Sequence, residues 1–398
     1  MPPSPLSDIR VLDLTNVLAG PFACHHLAHM GAEVIKVEAV GRGDLARQLG
    51  ADPDLNEKGM GVSFLAQNAG KKSVTLNLKD ARGKALFLRL VQTADVLVEN
   101  FRPGVMDRLG VGYETLKSAR PELIYCAISG FGQDGPWVDR PAYDQIVQGA
   151  SGLMSITGDE QSAPLRVGYP VSDTVGGMTA AFAVAAALNA RPRGAFIDVS
   201  MLEATLSTMG WVVSNHLIAQ AAPGAHGNEN PTSAPSGAFV AGDGLLNIAA
   251  NKEAQWVLLT DHLGLAALRK DPRFTTREDR KRNRVALKAA LEAVLRTRPA
   301  GHWVTELNQI GVPAGPVLSV PEALALPQVA DRGFLDSFAD VPGVGRDITV
   351  ATTGIKLDGA PPKVATPPPE LGAHNAQVWG SLGLDDAELD SLKAEGVI

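Results

Sequence analysis

Asp173 is the residue whose surroundings best suit chemistry. It stands between an apolar, proline-bearing stretch, Pro164-Leu-Arg-Val-Gly-Tyr-Pro170, and a run of small apolar residues, Gly176 to Leu188, that reads as a helix. A carboxylate at such a junction lies near a helix N-terminus, where unpaired N–H groups and the positive dipole end favour an anion. Gly176 and Gly177 leave room for another backbone or a ligand to approach. Two roles fit Asp173: a nucleophile, or a helix cap. Ser172 can fill the capping role equally well, which frees Asp173 for chemistry.

Other residues offer binding rather than bond-making. Val98-Glu-Asn-Phe-Arg-Pro-Gly104 brings an amide, an aromatic face and a cation together, with Arg108 further on. An adenine can stack on Phe101 while phosphates meet Arg102 or Arg108. Lys71, Lys72 and Lys79 flank a strand; as strand-end lysines they read as solvated unless a phosphorylated ligand meets them. His25, His26 and His216 fall in mainly apolar helical contexts and read as packed side chains. Cys126 lies mid-strand and reads as inert. The stretch Asp271–Arg284, dense in arginine and aspartate, reads as a solvated face.

The elements that must position these residues follow from periodicity. Ile9–Thr15 reads as a strand, Gly20–Met30 as a helix and Glu33–Glu38 as a second strand, one βαβ unit. Strand Ser73–Leu78, helix Ala81–Gln92, and strands Asp95–Glu99 and Leu123–Ser129 continue the rhythm. Alternation of this kind predicts a parallel, doubly wound sheet. Glu38 ends the second strand, where nicotinamide enzymes keep an acid for the ribose. The turn after the first strand, Asn16-Val-Leu-Ala-Gly-Pro21, has one glycine where the dinucleotide fingerprint needs three, so no nicotinamide is expected. After Gly176 the chain reads as helical to Leu217, broken by a short strand, Phe196–Val199. Two strands around Gly242-Asp-Gly244 and helices Glu253–Leu263, Asn283–Arg296 and Gly301–Gln309 predict a smaller α+β unit. Beyond Pro316 the chain reads as loop-rich, with Ala360–Pro369 extended and a last helix at Asp386–Ala394.

With 398 residues the chain is too long for one core. A net charge of −7 argues against nucleic-acid binding. No apolar run reaches the roughly 20 residues that span a bilayer, and the first ten residues lack a secretory pattern. Two cysteines, Cys24 and Cys126, suit a reducing compartment, so a cytoplasmic location is expected. Eight scattered histidines give no metal-ligand spacing.

Taken together, the segments resemble the class III coenzyme A transferases, the family of formyl-CoA transferase, carnitine CoA-transferase and 2-methylacyl-CoA racemase. The matching text includes Val11-Leu-Asp-Leu-Thr15, Leu18-Ala-Gly-Pro21, Gly31-Ala-Glu-Val-Ile-Lys-Val-Glu38 and Gly43-Asp44. It continues with Asp95–Gly104, Asp107-Arg-Leu-Gly110, Tyr143-Asp-Gln145, the Asp173 segment, Asp198–Ala204, Gly311–Pro316 and Leu371–Asn375. The resemblance implies a Rossmann-like large domain, residues 1–200 completed by 330–398. It implies a linker helix at 201–225, an inserted small α+β domain at 226–320 and a return segment at 321–398. Two ring-like subunits would interlock as a homodimer. Asp173 matches the nucleophile, and Leu18, Ala19, Leu76, Lys79, Asn100, Phe101, Arg108 and Tyr143 match residues of the CoA site. Coenzyme A enters as substrate, with no metal or nicotinamide.

The implied activity is exchange of CoA between an acyl-CoA and a free acid, through an anhydride and a thioester on Asp173. Where the racemases have a histidine beside an aspartate, this chain has Tyr143-Asp144. Tyrosine is a poor base at neutral pH, so transfer is expected over epimerisation of an α-methylacyl-CoA. The oxalate-specific members carry a long glycine-rich insertion and a glutamine where Leu18 stands here, so formyl or oxalyl transfer is not expected. They also hold CoA with an arginine where Ala39 stands; Arg42 can substitute. Arg166 is a candidate grip for a second carboxylate, which would suit a short dicarboxylate with succinyl-CoA as donor.

Overall fold

The structure, a computed structural model, describes residues 4–398. The chain forms two compact units. The first comprises the chain up to Leu153, Arg166–Ala221 and Pro327–Ile398; the second comprises Met154–Leu165 and Ala222–Leu326.

The first unit is built on six strands: β1 (Arg10–Asp13), β2 (Glu33–Glu38), β3 (Lys71–Thr75), β4 (Val96–Glu99), β5 (Ile124–Ser129) and β6 (Ala195–Ser200). They pair in the order β3-β2-β1-β4-β5-β6, all parallel. This is the doubly wound order, and its strand sequence reverses between β1 and β4. Helices cover both faces, so β4 and β5 are buried at every residue. The helices that concern the site are α1 (Ala19–His29), α2 (Ala81–Val91), α3 (Asp144–Ala150), α4 (Val171–Ala187), α5 (Met201–Thr208) and α6 (Gly210–Ala219). The segment beyond Pro316 is less loop-like than its sequence suggests. It carries an antiparallel ribbon, Leu335–Phe338 with Ile348–Ala351, and a helix over Asn375–Ser381 before the expected one at Asp386–Ala394.

Polar residues inside these buried strands form one ion network. Lys71 is not a solvated strand end: its side chain is fully buried, and Nζ donates to Asp13 Oδ2 at 2.8 Å and to the Pro21 carbonyl at 3.0 Å. Strand β3 therefore starts two residues earlier than its apolar pattern indicates. Lys36 reaches Asp44 at 2.9 Å and the Thr15 carbonyl at 2.7 Å. Glu38, which could have marked a ribose site, is held by Arg47 through two bonds of 2.7 and 2.8 Å and by the Ser73 hydroxyl at 2.6 Å.

Helix α1 crosses α4 closely because α4 carries glycine at the crossing. A Cβ on Gly177 would overlap the carbonyl oxygen of Ala19, a backbone atom that cannot swing aside. Gly177→Ala is therefore expected to cost about 1–3 kcal/mol, read as a lowered denaturant midpoint, and to reduce activity because Ala19 lies beside Asp173.

The second unit holds an antiparallel sheet of β7 (Ser236–Val240), β8 (Leu245–Ala249) and β9 (Ala314–Pro316). The β7–β8 turn is the Gly242-Asp-Gly244 hairpin, closed by Ala241 N–H on the Gly244 carbonyl. Helices over Glu253–His262, Arg284–Leu295 and Ala300–Gln309 bury Trp256, Leu259, Leu291 and Leu307 against it. The arginine-rich stretch is neutralised locally: Arg273 pairs with Asp271, Arg280 with Glu253 and Lys281 with Glu278.

Candidate active site

At the β1–β4 reversal the carboxyl ends of the strands part, and the loops beyond them are tied together. Asn100 Oδ1 accepts the N–H of Asn16 at 2.8 Å, and its Nδ2 donates to the Asn16 carbonyl at 2.8 Å. Two cavities open there. One, of about 350 Å³, is lined by Asp173, Leu18, Ala19, Asn100, Phe101 and Tyr143, with Val17, Arg102 and Met201 among its further walls. The other, of about 740 Å³, is lined by Leu76, Lys79 and Glu38. Asn16 and Phe101 belong to both, so the cavities are neighbours on the sheet edge.

Helix α4 begins earlier than expected, at Val171, with Pro170 at the cap position. Neither Asp173 nor Ser172 caps it. The Ser172 hydroxyl is buried without a partner. The cap comes from outside: Asp144 Oδ1, on α3, accepts the N–H of Ser172 at 2.8 Å and of Asp173 at 3.3 Å. The other Asp144 oxygen accepts from Gln148 Nε2 at 2.7 Å. Gln148, itself fully buried, takes the N–H of Val167 at 3.0 Å and donates to the Tyr169 carbonyl at 3.3 Å. Asp144 and Gln148 thus pin the whole approach to Asp173.

This arrangement leaves Asp173 without the anion-stabilising amides its position promises. Burial pushes its carboxyl up, and the neighbouring Asp144 adds to the rise, to about 7. Such a group is part carboxylate at neutral pH and a stronger base than an exposed aspartate. Glu99, at the end of β4, is also pushed up to about 7, chiefly by burial, while it accepts the N–H of Phe101 at 2.7 Å.

Arg108 is exposed on the short helix Val105–Arg108 and lines neither cavity. Arg166 also lies outside both; its guanidinium is 3.6 Å from Asp144. His25, His26 and His29 cluster on buried positions of α1, and burial lowers all three, His26 to about 4. Among the described residues no group of three or more His, Cys, Asp or Glu is arranged to hold a metal, and no helix is long and apolar enough to cross a membrane.

If Asp173 acts as its carboxylate, activity at limiting substrate follows its ionisation. Replacing Asp144 with asparagine keeps an oxygen for the helix amides and deletes the like charge. The acid limb of the pH–kcat/KM profile, expected near pH 7 in the parent, should move to lower pH in Asp144→Asn. An unmoved limb would detach Asp173 from the titration.

The sequence has clear relatives. The family model "CoA-transferase family III" matches residues 6–375. Acetyl-CoA:oxalate CoA-transferase of Acetobacter aceti is 42% identical over 368 residues, 92% of this chain and 90% of the relative. Succinate–glutarate CoA-transferase of Agrobacterium fabrum is 38% identical, covering 95% of this chain and 96% of the relative. Among solved structures, a CAIB/BAIF family protein from Brucella suis superposes with a TM-score of 0.82 at 34% identity, over 95% of this chain and 99% of that one.

Proposed function

Because this chain belongs to CoA-transferase family III, we propose that it moves CoA from an acyl-CoA, with succinyl-CoA as the foremost donor, to a short dicarboxylic acid. One observation carries the reading: a buried carboxyl, Asp173, shares a cavity with Leu18, Ala19, Asn100, Phe101 and Tyr143, beside a larger cavity lined by Leu76 and Lys79. The larger cavity suits the nucleotide end of CoA, with Phe101 as a stacking face between the two. The smaller suits the thioester. Glutarate, in the name of one relative, is such a dicarboxylate; oxalate, in the name of the other, is one too, although Leu18 and the short loop before Gly237 speak against oxalyl transfer here.

A carboxylate oxygen of Asp173 attacks the thioester carbonyl and CoA thiolate leaves, forming a mixed anhydride. The thiolate attacks the aspartyl carbonyl of that anhydride; the donor acid leaves as its carboxylate and an aspartyl-CoA thioester remains. The incoming carboxylate then attacks the aspartyl carbonyl, thiolate leaves again, and its attack on the new acyl carbon releases product and the free Asp173 carboxylate. Overall one thioester is exchanged for another, with the higher-energy anhydrides only transient, and no atom changes oxidation state, so the exchange needs no redox partner.

Epimerisation of an α-methylacyl-CoA is the second reading. It needs an acid and a base on opposite faces of the α-carbon; among the described residues no histidine lines the smaller cavity, and Asp173 is its one carboxyl. Offering oxalate, succinate, glutarate and acetate with succinyl-CoA and with acetyl-CoA, and weighing the products, tests the proposal. Deuterium incorporation at Cα with no acid acceptor would instead support the epimerase.

The chain's exposed apolar surface supports a homodimer. Helix α6 buries none of its residues although it carries Trp211, Leu217 and Ile218, which are 81%, 73% and 83% exposed. Phe182 on α4 is 76% exposed. Surface of this kind marks an interface. Trp211→Glu with Ile218→Glu should convert a dimer to monomer in sedimentation velocity.

A further inference from the structure

Val17 has a positive φ, 67°, and is the only β-branched residue among the described residues to do so. Such side chains avoid the left-handed region, so the surroundings must impose it. The group that does so is Asp44. Its Oδ1 accepts the N–H of Val17 at 2.8 Å and that of Ala46 at 2.9 Å. Its Oδ2 faces Lys36 Nζ at 2.9 Å, with both side chains fully buried. A carboxylate already fixed by a buried cation cannot follow the loop, so the loop must conform to it.

The segment so fixed is a wall of the site. Val17, Leu18 and Ala19 line the cavity that holds Asp173. Asn16 is tied to Asn100 on one side of Val17. On the other side, Ala19 lies against Gly177, which is four residues after Asp173 and therefore on the same face of α4. Asn100 and Gly177 fix the ends of the segment. Asp44 sets the torsion between them, and hence how Leu18 and Ala19 are presented to the Asp173 carboxyl.

We infer that Asp44 is a positioning residue for acyl transfer, acting through the left-handed backbone of Val17. The inference rests on the CoA-transfer reading. A valine released from Asp44 relaxes to negative φ and swings the wall, whereas a glycine keeps the left-handed conformation without strain. Asp44→Ala should lower kcat roughly 10- to 100-fold with little change in KM for the acyl-CoA, the size of loss that misplaced groups give. In the Val17→Gly background the same substitution should cost several-fold less. Equal losses in both backgrounds, or a loss confined to KM, would overturn the proposal.

Val17→Pro supplies a second test, because it leaves Asp44 and Lys36 in place. It removes the N–H and forbids positive φ, so it should lose kcat to the same degree; retained turnover would count against the inference. Amide exchange at Val17 separates this proposal from the CoA-transfer reading. That amide should be protected in the parent and exchange fast in Asp44→Ala whether or not the parent transfers CoA. Parent protein that exchanges no CoA with any acid sinks the transferase reading; an unprotected Val17 amide sinks the role of Asp44.

Discussion

Asp173→Asn should reduce CoA exchange by on the order of 10⁴-fold or more, since the amide has no anionic oxygen to form the anhydride. Binding of CoA should survive, because Leu76, Lys79 and Phe101 line the larger cavity and Asp173 does not. The same variant should be more stable than the parent above neutral pH, and the sign follows from the raised carboxyl. The folded protein keeps the Asp173 proton to about pH 7, while the unfolded chain releases it in the ordinary carboxylate range. Folding is therefore penalised progressively as pH rises between those limits, and fully above pH 7. Asparagine removes the penalty. A gain of about 1–3 kcal/mol at pH 8, nearly absent at pH 4, is the expected denaturation result. Lost activity with no pH-dependent gain would mean that Asp173 is not the buried, charge-crowded group described above. Retained exchange would remove it as the nucleophile.

Burial sets most of that pH dependence and Asp144 adds to it; the part Asp144 plays is not legible in the local sequence. The helix after Asp173 is legible from its small apolar residues, and the strands around it from their β-branched runs. The identity of the helix cap is not, because the acceptor, Asp144, lies 29 residues before Asp173 on another helix. Ser172 is as good a local candidate by type as Asp173, yet its hydroxyl is buried without a partner. Val17 carries no local signal at all: valine there reads as part of an ordinary loop, and only the buried Asp44 imposes its torsion. The ribbon at Leu335–Phe338 and Ile348–Ala351 escaped for a related reason. Its strands are four residues long, and Asp336 and Ser337 break the apolar alternation that would announce them. What was legible is periodic and local; what was not depends on partners far along the chain. The same holds for charge inside the sheet. Lys71 reads as a solvated strand end, and nothing adjacent to Lys36 or Lys71 announces Asp13.

Asp13→Ala should be among the most damaging substitutions outside the cavity. The residue is fully buried, and Lys36 and Lys71 outweigh the effect of burial, holding its carboxyl well below the usual range. Lys36 keeps Asp44 when Asp13 is removed, but Lys71 keeps only the Pro21 carbonyl. An ammonium left unpaired in a dry core costs about 3–5 kcal/mol, a large part of the stability of a typical domain. Because the chain has two compact units, a single melting temperature would mix their responses. Hydrogen exchange of amides in β1 and β3 reads the affected unit directly. The linkage sign adds a second check. The stabilisation from the depressed Asp13 carboxyl is complete above the ordinary aspartate range and is lost progressively as pH falls from there to the lower folded value. The gap between parent and variant should therefore be constant from about pH 5 to 8 and narrow in strong acid. Pairing Asp13→Leu with Lys71→Met removes both charges and should recover most of the loss, since a buried ion pair exchanged for apolar groups is often neutral. Failure of the double variant to recover would mean that the Asp13 bond to the Thr15 N–H, 3.0 Å long, matters more than its charge. That bond orients the turn leading to Asn16 and Val17, so activity should then fall together with stability.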